Sequence, residues 1–141
     1  MDRAIFAIDT SLALAAALIN LVLAILVLSR TSRGVLYVTF FFGCLSLAVW
    51  NLGDFVFFLS GSRFWFYFSL IGSGMAPAFM FHIVNALVRP AREKTFWIVP
   101  AYLFSGVLAF SSPLALLHSG IRAFVDGPIW NILYVVFLVP Y

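Results

Sequence analysis

Four apolar runs, each long enough to cross a lipid bilayer as a helix, fill most of this chain: Ile5–Leu28, Val35–Leu59, Phe64–Val88 and Phe96–Leu117. A membrane helix needs roughly 20 apolar residues to cross about 30 Å of hydrocarbon. Inside lipid, free backbone N–H and C=O groups find no partner, so a spanning segment must be a helix or part of a closed barrel. Barrel strands alternate apolar and polar residues over segments of about ten, and these runs are continuous. The expected fold class is therefore all-α: an integral membrane bundle of four transmembrane helices forming a single membrane domain over residues 1–141. A fifth run, Ile129–Tyr141, stops after 13 residues. We expect an incomplete fifth helix, with a larger multi-spanning protein cut here.

Composition supports the class. The chain is 65% hydrophobic and 9% charged, whereas soluble domains carry roughly a quarter charged residues. The net charge of +3 is no nucleic-acid signal, because the basic residues sit in short loops, where membrane topology places them. No nucleic-acid partner is expected; the expected partners are the lipid bilayer and other membrane helices or subunits. Cys44 is the sole cysteine and forms no internal disulfide. The first apolar run is too long for the core of a removable signal peptide, and is read as a retained anchor.

Loop charge sets the expected orientation. The first loop holds Arg30 and Arg33, and the third holds Arg89, Arg92 and Lys94. The second holds Arg63, and the fourth sets Arg122 against Asp126. Positive charge follows the cytoplasm, so the first and third loops are expected inside and the N-terminus outside. At the second turn, Phe55, Phe57, Phe58, Phe64, Trp65, Phe66, Tyr67 and Phe68 crowd together. Such a belt anchors helices at the membrane–water boundary, or lines a pocket for an apolar ligand. The fourth loop, His118 to Pro128, is the longest connection and is expected to fold back as a short interfacial element.

Polar groups inside the spans are the candidates for function, since burying them in hydrocarbon is costly. Asp54 lies one turn after Trp50 and three residues after Asn51, which puts all three on neighbouring positions of one helix face. They would form a polar cluster in an outward-facing cavity for ligand or proton sensing, or Asp54 would be a carboxylate near the interface, partly hydrated or paired with Arg63. Asp9 is close enough to the end of its span for hydration alone to explain it. His82 and Asn85 share one side of the third span and form a second candidate ligand site. No cofactor is expected and no metal site; the one candidate is His82 as a single axial ligand to a haem or pigment metal, the alternative being a bond to another helix. Asn20 reads as interhelical glue. Gly72, Ser73, Gly74, Ala76 and Ala78 surround Pro77, which removes a backbone bond and is expected to act as a hinge, or only as a packing feature. Pro100, in the first turn of its span, is less informative.

Enzymatic constellations are absent from the sequence: no zinc-binding HExxH, no phosphate-binding glycine loop followed by lysine, no serine–histidine pair in context. No catalytic residue is assigned, and the chain is not expected to be an enzyme.

Three stretches carry a family resemblance. Asn20 sits mid-span in a Leu/Val/Ile-rich first helix that ends in the basic loop Ser29–Gly34. The second span reads Leu45-Ser46-Leu47-Ala48-Val49-Trp50-Asn51-Leu52-Gly53. The third opens with Phe64-Trp65 and continues from Ile71-Gly72 to Pro77, then Phe79, Phe81 and His82, before a basic loop. Residues 10–95 thus resemble the N-terminal seven-helix membrane sensor region of bacterial histidine kinases. The resemblance implies a multi-pass protein of a bacterial plasma (inner) membrane with its N-terminus outside. It also implies a two-component signalling role as a non-catalytic input module. The chain departs from the family by stopping within helix five, so any kinase would lie in a part not present. The other reading is a non-catalytic accessory subunit of an energy-converting or pigment-bearing complex, packing on lipids, quinone or pigment. A transporter or channel comes third. Homodimerisation is one arrangement that small-residue faces allow.

Overall fold

A computed structural model describes residues 3–30, 34–88, 95–128 and 132. These form α1 (Arg3–Leu28), α2 (Val35–Ser60), α3 (Arg63–Val88), α4 (Thr95–Leu117) and a short α5 (Ser119–Val125), with no strand among the described residues. The first four are long and apolar enough to span a membrane. Each reaches one or two residues beyond its apolar run at one end or both, because a helix continues until a turn residue stops it. At 26 residues, α1, α2 and α3 are about 39 Å long at 1.5 Å per residue. That exceeds the hydrocarbon thickness, so the helices tilt or reach into the headgroups. The expected fifth span, from Ile129 on, lies outside the described residues apart from Ile132.

Each helix packs on the next in sequence, and non-neighbouring helices barely touch. The central member is α3, held between α2 and α4. Size rather than polarity sorts the residues. Ala17, Ala24, Ala48, Ala76, Ala78, Ala101 and Ala109 are buried, while Leu, Ile, Val and Phe dominate the exposed surface. That is the packing logic of a membrane, where lipid is as apolar as leucine and helices associate by close approach of small residues.

Two glycines two positions apart give α3 its two neighbours. A Cβ on Gly72 would collide with the Ser46 carbonyl oxygen of α2 and sit 2.5 Å from the Trp50 amide nitrogen. A Cβ on Gly74 would sit 3.0 Å from the Ala109 amide nitrogen of α4. At about 100° per residue, i and i+2 point to nearly opposite sides of a helix. Pro77 is buried inside α3, which continues as helix through it.

A tight turn at Gly61 and Ser62 reverses the chain between α2 and α3. Gly61 adopts a left-handed conformation (φ 65°) and its N–H donates to the Phe57 carbonyl at 2.8 Å, as glycine commonly does past a helix C-terminus. Around this turn Phe6, Phe57, Phe58 and Phe66 form a ring network joining α1, α2 and α3, with centroid separations of 5.6–6.3 Å. The fourth loop folds back as expected: α5 returns onto α3 and α4, where Tyr67, Leu108, Ala115 and Val125 form a buried cluster.

Candidate functional site

Two polar constellations lie within the spans, and helix pairing builds both. The first is the seam between α2 and α3. Gly53 and Ser69 stand at equal distance from the Gly61–Ser62 turn, and a Cβ on Gly53 would sit 2.7 Å from the Ser69 Cβ. This contact brings Ser69 beside the Asp54 carboxyl, with Trp50 one turn earlier on the same helix as its other polar neighbour. The partners of Asp54 are neutral, and Arg63 is not among them. Ser69 Oγ also donates to the Phe66 carbonyl at 2.8 Å.

With its own proton given to the Phe66 carbonyl, the Ser69 hydroxyl oxygen can accept from a neutral Asp54 carboxyl, whereas an ionised carboxylate would draw the Ser69 and Trp50 donors to itself.

The second constellation is a groove between α2, α3 and α4, of about 420 Å³, lined by Val35, Val38, Thr39, Phe42, Phe79, His82 and Tyr102. His82 Nδ1 meets the Tyr102 hydroxyl at 3.0 Å. Phe79 stacks on Phe42 at 5.9 Å and meets the Tyr102 ring edge-on at 5.3 Å. Thr39 donates to its own helix, to the Val35 carbonyl at 2.8 Å. The second imidazole nitrogen of His82 has no partner among the described residues.

Of the residues singled out in the sequence, Trp50 and Asp54 meet. Asn51, on the next position, instead donates to the Leu47 carbonyl at 2.7 Å. His82 and Asn85 are not joined: Asn85 is buried and donates to the Phe81 carbonyl at 2.8 Å. Asn20 likewise bonds within its own helix, to the Ala16 carbonyl at 2.8 Å, rather than bridging two. All three amides satisfy a carbonyl four residues back, the nearest acceptor available in an apolar medium. Asp9 is exposed. Sequence reasoning missed Ser69 and Tyr102. Each lies on the helix next to its partner's, which spacing along a single span does not reveal. No group of three metal-ligating side chains occurs among the described residues.

The fold and these constellations define a polytopic α-helical membrane protein. No protein-family model, no curated protein and no solved structure matches the chain.

Proposed function

We propose that this chain is a non-catalytic, membrane-embedded signal-input module of the histidine-kinase-sensor kind, in which the α2–α3 seam reads the signal and α3 passes it on. The Asp54–Trp50–Ser69 constellation carries the reading. A carboxyl group held by neutral donors, where glycines bring two backbones into contact, offers two hydrogen-bond states that differ by a proton or by a bound ligand. Input requires such a pair of states with different affinity for the signal. Pro77, two turns further along α3, takes up the shift, and His82 and Asn85 lie beyond it.

Hydrogen exchange of the protein in lipid nanodiscs tests this. Asp54→Asn keeps the shape but fixes the neutral form, and Asp54→Leu removes the acceptor. Both variants are expected to change amide exchange around residues 74–80 by at least fivefold relative to the native chain, in opposite directions. Equal exchange in all three proteins, with helicity retained, would remove the seam as an input.

The accessory-subunit reading keeps one observation in its favour. The face of α1 formed by Leu18, Ile19, Val22, Ile25 and Leu26 is exposed, and a neighbouring subunit would cover it as well as lipid does. Intact mass and an absorption spectrum of the native product distinguish the readings. A mass well above 15.7 kDa supports the sensor, and co-purifying partners with visible absorbance support the subunit.

A further inference from the structure

The end of the bundle opposite the Gly61 turn carries a second recess, again of about 420 Å³, lined by Arg30 and Tyr37 with Val27, Val38, Phe41 and Phe42. It shares Val38 and Phe42 with the His82 groove, so the two recesses, together called the trough, adjoin at these side chains near the start of α2. Arg30 lies just past the end of α1, and Tyr37 is in the first turn of α2. Phe41 and Phe42 follow about one turn deeper. Neither the Arg30 guanidinium nor the Tyr37 hydroxyl has a hydrogen-bond partner among the described residues, and both side chains are exposed. Two unpartnered donors at the membrane boundary, above an apolar channel that opens sideways to lipid, match the layout of a phospholipid: phosphate at the donors, acyl chain along the phenylalanines.

Charge selects the headgroup. Loops one and three leave the bundle at this same end, because the four spans alternate in direction, and they carry Arg33, Arg89, Arg92 and Lys94 against Glu93. Basic recesses between membrane helices attract anionic headgroups. We propose that the trough is a binding site for one anionic phospholipid, its phosphate held by Arg30 and Tyr37 and one acyl chain lying over Val38 and Phe42. The site is independent of the signal-input reading.

Native mass spectrometry of the full chain tests it, with the protein taken from membranes of equal phosphatidylglycerol and phosphatidylcholine content and matched acyl chains. The native chain is expected to retain one phosphatidylglycerol with about tenfold preference. Arg30→Gln is expected to lower that preference about fivefold, the usual contribution of one basic residue at a membrane surface. Tyr37→Phe should lower it about twofold. Val38→Trp, a surface change that fills the channel, should abolish retention of both lipids. Equal retention of both lipids by the native chain would overturn the headgroup assignment. So would displacement of the lipid by millimolar inorganic phosphate, which would mark a free-anion site. Unchanged retention in Val38→Trp would overturn the trough itself.

Discussion

Replacing Gly72 with alanine is expected to destabilise the protein by on the order of 3 kcal/mol, the upper range for forcing a methyl into a packed interior. The added carbon would meet backbone on α2, at the Ser46 carbonyl and the Trp50 amide, and backbone cannot swing aside as a flexible side chain does. The two helices must separate, and every contact along the seam weakens with them. Gly53→Ala faces the same seam through Ser69, with 2.7 Å to its Cβ and 2.8 Å to its Cα, and should behave alike. Because both act by prying apart one interface, the double variant should lose less than the sum. Gly106 is the control. It lies inside α4, yet an added Cβ meets nothing within 4 Å. Gly106→Ala should be neutral, or stabilising by up to about 1 kcal/mol through helix propensity. Loss of helicity during denaturant titration in mixed micelles measures all four. If Gly72→Ala is as stable as Gly106→Ala, α2 and α3 do not meet as described.

The spans were legible because each is a continuous apolar run, and hydropathy alone locates it. Which face of each helix turns inward was not. In lipid, a leucine gains nothing by facing the core, so the apolar residues carry no useful period, and burial follows side-chain volume instead. The run Gly72, Ser73, Gly74, Ala76, Ala78 announced a packed surface. That it serves two neighbours on opposite sides became visible only with α2 and α4 in place. The candidate site divides the same way. Trp50 with Asp54 was legible because four residues make one turn of a single helix. Ser69 and Tyr102 were not, because their partners lie on a neighbouring helix, and spacing along one span does not fix which residues face each other across two. Asn51 and Asn85 add what spacing leaves out. Spacing put them beside Asp54 and His82, but an amide in a helix has a carbonyl acceptor one turn back at no further cost, and both side chains take it.

Tyr67→Ala is the other substitution with a large expected effect. Tyr67 is the largest fully buried side chain among the described residues, at 1% exposure. Its ring supports Leu108 and Ala115 of α4 and Val125 of α5, and its hydroxyl donates to the Asp126 carboxylate at 3.0 Å. A helix of seven residues has no stability of its own in water, so α5 is held by this cluster and by Arg122, whose Nε donates to the Ala115 carbonyl at 3.1 Å. Truncation to alanine removes the ring on which α5 rests and is expected to cost about 3–5 kcal/mol, as for other buried aromatic residues. Hydrogen exchange of residues 119–126 should then rise more than tenfold, while α1 and the N-terminal half of α2 stay protected. Tyr67→Phe separates packing from hydrogen bonding. It keeps the ring and loses one bond to an exposed acceptor, so about 1 kcal/mol is expected, with α5 still in place. If alanine and phenylalanine release α5 equally, the hydroxyl–carboxylate bond rather than the buried ring is what fastens the fourth loop to α3. If neither releases it, Arg122 alone suffices, and its replacement by glutamine should then free the segment.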